Sequence, residues 1–150
     1  FGWTEDGRCG YLNKDNTIQH TPRPIFEFNR KIDKLKRQFI CKRISAGSRH
    51  TLFLMINCRK EVHHSTGRKA KKVMITGLNQ VGLCEQPGHN APVDTPLLHP
   101  DEVPINISAG HGTSFIITRV GNVYSFGQGR YGVLGHGHEE PTPYPLHVAS

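Results

Sequence analysis

Ten histidines, four cysteines and nineteen Lys/Arg are the groups in this 150-residue sequence with chemistry to offer, and their spacing decides what kind. His63-His64 and His136-x-His138 are the nearest histidine pairs, with Glu139 and Glu140 adjoining the second. Neither pair stands at a spacing that completes a zinc site with Cys, Asp or Glu. Cys9, Cys41, Cys58 and Cys84 include no C-x-x-C pair. They read as reduced, partly buried thiols, the pattern of an intracellular protein, although an even count also permits disulfides. Gly127-Gln-Gly129-Arg-Tyr-Gly132 matches G-x-G-x-x-G after a strand-like run. Val133-Leu-Gly135-His-Gly137-His-Glu-Glu-Pro141-Thr-Pro143, which follows, cannot open a helix, so no helix N-terminus is expected there to hold a pyrophosphate. No residue is therefore assigned as catalytic, metal-binding or cofactor-binding, and no cofactor is expected.

Charge is the other chemical resource. The formal net charge of +7 is concentrated in residues 30–43, which sum to +6, and residues 59–72, which sum to +5, against −4 for all the rest. Arg30, Lys31, Lys34, Lys36 and Arg37 fall between repeats, and Arg68, Lys69, Lys71 and Lys72 are expected to precede a strand. If the fold brings these segments together they form a patch for nucleic acid, an acidic tail or an acidic protein face. The other reading is two solvated loops that keep the protein soluble. No interleaved aromatics suggest base stacking. His111-Gly112-Thr113-Ser114 has the look of a protease histidine segment, but no partner segments accompany it. No apolar run reaches the roughly 18–20 residues of a membrane span. The first residue is Phe1, as in an internal piece of a longer chain.

The elements that must position these groups repeat. Ile44-Ser-Ala-Gly-Ser-Arg-His-Thr-Leu-Phe-Leu-Met55 and Ile107-Ser-Ala-Gly-His-Gly-Thr-Ser-Phe-Ile-Ile-Thr118 align without gaps, 63 residues apart. A Gly followed five positions later by Gly occurs three times, at Gly2/Gly7, Gly77/Gly82 and Gly127/Gly132. Each is followed by a Thr-Pro, at Thr21-Pro22, Thr95-Pro96 or Thr142-Pro143. Short apolar or β-branched runs bounded by Gly predict strands over Ile44–Ala46, Leu52–Ile56, Val73–Thr76, Ile107–Ala109, Phe115–Thr118 and Val123–Phe126. Residues 30–40 carry Ile32, Leu35 and Phe39 at helical spacing but fit a charged hairpin loop nearly as well. The stretch His136–His147 reads as a solvated connection. Repeated four-strand units with Gly at fixed turns predict an all-β chain, a partial β-propeller of two to three four-stranded antiparallel blades.

Two stretches carry a family resemblance. Ala46-Gly47-Ser-Arg-His50-Thr51-Leu-Phe-Leu54 and Gly121-Asn-Val123-Tyr124-Ser-Phe126-Gly127-Gln-Gly-Arg-Tyr-Gly132-Val-Leu134-Gly135 together resemble the repeat of the regulator of chromosome condensation family. The resemblance covers the tail of one repeat (1–28), an expanded repeat (about 39–98) and a near-complete one (105–150). It departs at Thr113, where the family's repeat histidine would fall, at Lys71 and Thr76, which stand where the last unit has Gly121 and Phe126, and at Glu85 in the turn. His50, by the same resemblance, is a structural side chain hydrogen-bonded within its blade.

The resemblance implies a closed ring of seven blades, of which 150 residues supply two to three. A fragment is therefore expected, or a chain whose missing blades come from another segment. Its segments are 1–38 (end of one repeat plus a basic connection), 39–104 (expanded repeat) and 105–150 (last repeat). The implied activity is not enzymatic in the covalent sense. It is guanine-nucleotide exchange on a Ran-type small GTPase, driven by tighter binding to the nucleotide-free form, with chromatin as a second partner. The same resemblance equally covers a scaffold propeller of a ubiquitin ligase, kinase or trafficking adaptor without exchange activity. A chromatin or nucleic-acid binder acting through the basic segments is a third reading. Ile44, Leu52, Leu54, Ile107, Phe115, Ile117, Val123 and Phe126 are expected to be buried.

Overall fold

The computed structural model describes residues 2–3, 9, 18–22, 25, 39–57, 71–77, 93–95 and 102–148. Ten strands run in chain order: β1 Gly2–Trp3, β2 Ile18–Gln19, β3 Phe39–Ala46, β4 His50–Asn57, β5 Lys71–Gly77, β6 Val93–Thr95, β7 Pro104–Ala109, β8 Thr113–Thr118, β9 Val123–Gly127 and β10 Thr142–His147. The only helical element among the described residues is a single 3-10 turn, Arg130–Gly132.

Two four-stranded antiparallel sheets dominate, ordered β3-β4-β5-β6 and β7-β8-β9-β10, with β1 and β2 forming a small pair before them. Each four-stranded sheet is a meander of sequential neighbours, as a propeller blade must be. All six expected strands lie within observed ones. Thr95 ends the fourth strand β6, and Thr142-Pro143 opens the fourth strand β10. Of the segment 30–40, Phe39 and Ile40 open β3 as strand rather than helix, and residues 30–38 lie outside the described residues. The stretch His136–His147 is not wholly a connection either: its last six residues form β10, paired with β9 across an irregular register.

The hairpin linking the first two strands is built alike in both units. The Gly47 N–H donates to the His50 carbonyl and the Gly110 N–H to the Thr113 carbonyl, both at 2.8 Å. At the far end of each third strand stands a glycine with positive φ, Gly77 at 101° and Gly127 at 111°. A Cβ on Gly77 would lie 2.3 Å from the Arg49 carbonyl oxygen, and one on Gly127 would lie 2.2 Å from that of Gly112. Dihedral and close approach both require glycine, which explains why this position recurs in the sequence.

The sheets stack face to face. Leu52, Leu54, Val73 and Ile75 of the first pack against Ile107, Ile116, Tyr124 and Phe126 of the second in one buried cluster. On the other face of the first sheet, Phe53, Met55 and Met74 are buried with Ile25 and Phe39 packed against them. Both faces of β4 are thus covered, and its run Leu52–Met55 is continuously buried.

Burial divides the eight expected core residues by face. Leu52, Leu54, Ile107 and Phe126 lie in the stack between the sheets and are buried. Ile44 is 64% exposed and Ile117 37% exposed, while Phe115 and Val123 are half-buried. Ile44 pairs with Phe53 on the outer face of the first sheet, and Phe115, Ile117 and Val123 share the outer face of the second. Among the described residues no further four-stranded sheet lies on either face. The alternation is right in each strand, but among the described residues the outer-face positions are covered only in part.

Candidate functional site

The basic segments are the first candidate. Arg30, Lys31, Lys34, Lys36, Arg37, Arg68 and Lys69 lie outside the described residues. Lys71 and Lys72 do not precede the third strand of their blade but begin it, paired with Ile56 and Met55 of β4. Both are half-buried. The Lys72 Nζ sits 4.6 Å from the centroid of the Phe39 ring, a cation–π contact that engages the charge at the sheet's edge. Phe39 pairs with Asn57, and Ile56 with Lys71. Phe39 within the first basic segment, Asn57 just before the second and Lys71 near the second's end therefore meet at one end of one sheet. Lys42 and Arg43 are exposed on β3, the edge strand of that sheet. A bulge between Cys41 and Arg43 interrupts the pairing of β3 with β4. Bulges and charges are common on edge strands, where they hinder further strand addition.

The seam between the sheets is the second candidate. At the hairpin tips, the Ser48 hydroxyl donates to the His111 carbonyl at 2.6 Å. The Ser48 N–H donates to the Gly110 carbonyl at 3.2 Å. The Ala109 N–H donates to the Ser45 hydroxyl oxygen at 2.9 Å. Deeper in the seam, Ser114 Oγ and His50 Nε2 are hydrogen-bonded at 2.9 Å, both residues buried. The repeat histidine does not bond within its own blade, as the family resemblance implied, but reaches from β4 into β8 of the next. A strand pattern shows that His50 points to a packed face but not which blade supplies its partner. Burial lowers the His50 imidazole from its ordinary value, and a hydrogen bond with the Thr113 backbone acts in the opposite direction. A neutral imidazole joining two blades is a structural group.

A serine–histidine contact elsewhere shows the same restraint. Ser125 Oγ lies 3.0 Å from His136 Nε2, the spacing of a nucleophile and its base. Its single hydroxyl proton goes to the Leu134 carbonyl, 2.6 Å away, so the imidazole must be the donor to Ser125. The pair fastens the Gly-rich turn to β9 and is not a nucleophile–base pair. Glu102 accepts hydrogen bonds from the Asn122 amide and the Tyr124 hydroxyl. Burial first, then this carboxylate, pushes the Tyr124 hydroxyl up to about 12, fixing it as a donor. The motif Gly127–Gly132 ends in the three-residue 3-10 turn Arg130–Gly132, and the next element is strand β10, not an α-helix. It therefore has no helix N-terminus for a pyrophosphate.

Sheets that meander outward and stack face on face through repeated hairpins define a class, a segment of a β-propeller. Residues 120–150 match the family model of the regulator of chromosome condensation (RCC1) repeat. Human WBSCR16 is similar in structure, with a TM-score of 0.67 and 22% identity over 97% of this chain and 33% of that one. Prp20p from Saccharomyces cerevisiae, a protein with binding properties to Gsp1p and histones, is similar with a TM-score of 0.61 and 20% identity over 96% of this chain and 32% of that one. The chain spans about a third of the length of these structures.

Proposed function

We propose that this chain is part of a non-catalytic protein-interaction propeller, and that the propeller acts as a guanine-nucleotide exchange factor for a Ran-type small GTPase in an intracellular setting. The observation that carries the reading is the pairing of an RCC1 repeat at 120–150 with a blade stack similar to a third of Prp20p, which binds Gsp1p. Exchange would need no covalent chemistry. A surface that binds the nucleotide-free GTPase more tightly than the loaded form shifts the equilibrium toward release.

The basic segments support a second reading, binding to nucleic acid or chromatin. It is favoured by the meeting of Phe39, Asn57 and Lys71 at one end of the sheet, because runs of +6 and +5 are tethered there. Phosphate contacts of this kind weaken steeply with salt. A scaffold propeller without exchange activity is the reading to which weight moves if exchange fails.

The test is release of fluorescent GDP from a purified Ran-type GTPase, with and without the full-length propeller, at physiological salt. Strong acceleration supports exchange. A folded propeller that leaves the rate unchanged overturns it. A parallel binding titration against duplex DNA at two salt concentrations, with Lys42, Arg43 and Lys71 reversed to Glu, separates the second reading. Salt-steep binding lost on reversal supports it, and binding unaffected by reversal dismisses it.

A further inference from the structure

The first strand of each four-stranded sheet carries the same irregularity. In β3 the pairing steps from Cys41 with Met55 to Arg43 with Leu54, which leaves Lys42 as an extra residue. In β7 it steps from Pro104 with Thr118 to Asn106 with Ile117, which leaves Ile105. The 63-residue offset carries each of these positions onto its counterpart. A bulge repeated at one place in two copies is a built feature that re-aims side chains and interrupts the strand's edge.

The two bulges stand side by side. β3 and β7 are both edge strands and lie against each other, whereas β6 and β10 at the far edges make no comparable approach to the opposite sheet among the described residues. Ser45 and Ser48 of the first unit meet Ala109 and His111 of the second, so the strands advance in the same direction and Lys42 comes level with Ile105. Ile40 and Arg43 pair with Ile56 and Leu54, two positions apart on β4, and therefore share the face that looks toward the second sheet. Lys42, Arg43 and Asn106 are exposed, and Ile40 and Ile105 are 50% and 41% exposed. Neither strand contains an Asp or Glu, and the carboxylate of Glu102, just ahead of β7, accepts from Asn122 and Tyr124.

This rim offers two cations and an amide between two open isoleucines. A polypeptide can complement all of them, with carboxylates for the cations and apolar side chains for the isoleucines. Nucleic acid matches the cations alone. Phe39, the one aromatic residue of the two strands, is packed against the sheet with Lys72 over its ring and offers no platform for a base.

We propose that the adjoining edges of β3 and β7 bind an extended acidic segment of a partner protein, one in which carboxylates alternate with apolar side chains. Its carboxylates pair with Lys42 and Arg43, its apolar side chains cover Ile40 and Ile105, and the Asn106 amide is placed to hydrogen-bond its backbone. Two cations on an edge without acidic residues supply the electrostatic complementarity. The bulges interrupt the ladder, so side chains hold the segment and it does not join the sheet as a further strand. The site is independent of nucleotide exchange.

The test is a fluorescence-anisotropy titration of the full-length protein with a fluorescein-labelled peptide alternating Glu and Leu. Saturable binding that weakens with salt is expected, and it should disappear when Gln replaces Glu in the peptide. Lys42→Gln combined with Arg43→Gln should weaken it about tenfold. Ile105→Ser, at an exposed position where the fold is expected to persist, should weaken it several-fold, and circular dichroism checks the fold of each variant. A single-stranded oligonucleotide of equal charge should bind less tightly than the peptide. No saturable binding, an affinity that ignores either substitution, or tighter binding of the oligonucleotide would each overturn the proposal, the last in favour of a nucleic-acid surface.

Discussion

The two four-stranded sheets share a hairpin, a meander and a positive-φ glycine, yet they spend their equivalent positions differently. In β3–β6, both faces of the central strand β4 are covered, and Leu54 is 1% exposed. In β7–β10, the corresponding Ile117 is 37% exposed, and the outer face is covered only in part among the described residues, by the turn that carries Leu134 and His136 over Ser125. What differs is the neighbour, not the local sequence pattern. A repeat of this kind specifies its strands by itself and its core only through the next repeat, as expected of an architecture whose stability is a sum over units and interfaces.

The largest expected effect tests that division directly. Leu54→Ala in the 150-residue chain should lower the stability by about 2–5 kcal/mol, the usual range for emptying a packed site. Ile117→Ala should change it by less than about 1 kcal/mol, because that side chain is still partly in water. Urea unfolding of both variants reads the difference, and equal losses would break the comparison. The shared turn supplies the next. Gly77→Ala and Gly127→Ala each force a Cβ against a carbonyl at positive φ, and each should cost more than about 1 kcal/mol. A large loss for one and none for the other would mean that the two turns are not equivalent.

Much of this was legible in the sequence. Gly-bounded apolar runs placed six strands, and the 63-residue offset identified which positions are equivalent. What the pattern could not supply was the partner of each face. Period-two alternation says that Ile44 and Phe53 point one way and Leu52 the other, but not whether anything lies there. That is why Ile44 and Ile117 were expected inside and stand partly in solvent. His50 failed for the same reason, since its hydrogen bond crosses to another blade. The apolar and β-branched run marks the strand only from Val73 to Thr76, yet pairing with Ile56 and Met55 extends β5 back through Lys71 and Lys72. The two prolines and flanking histidines of 136–147 similarly hid β10, an edge strand, where proline is tolerated. The candidate site was only partly legible. Charge arithmetic found the basic segments, and strand register was needed to bring their anchor points together.

The histidine at the seam sharpens the comparison through pH. Ser114→Ala leaves a buried imidazole nitrogen without its partner and should cost about 1–3 kcal/mol. The His50 imidazole is lowered in the folded chain, so the unfolded chain binds the proton more readily. Its contribution is therefore present above the unfolded value of about 6.5 and is lost as the pH falls toward the folded value. His50→Gln should remove this part of the acid sensitivity, seen as a smaller shift in urea midpoint between about pH 7.5 and about pH 5. Thr113, the equivalent residue of the second sheet, has no group that titrates in this range. An unchanged acid profile in His50→Gln would mean that His50 titrates alike in both states.

The smallest expected effect concerns one pair of equivalent positions that has taken two chemistries. Lys72 and Phe39 in the first unit correspond to Asn122 and Glu102 in the second, by the same offsets that relate the strands. One pair is a cation over an aromatic ring, and the other is an amide donating to a carboxylate that also holds Tyr124. Both tie the start of a third strand to the segment beginning its blade, so the contact persists while its chemistry changes. A half-exposed cation–π contact contributes about 0.5–1 kcal/mol, so Lys72→Met should lower the stability by no more than that. A double-mutant cycle with Phe39→Leu isolates the coupling. A coupling of zero would mean that the lysine stem, packed beside the ring, supplies the contact. A measurable coupling would mean that Lys72 is spent within the blade, leaving Lys42, Arg43 and Lys71 to carry the described part of the basic surface.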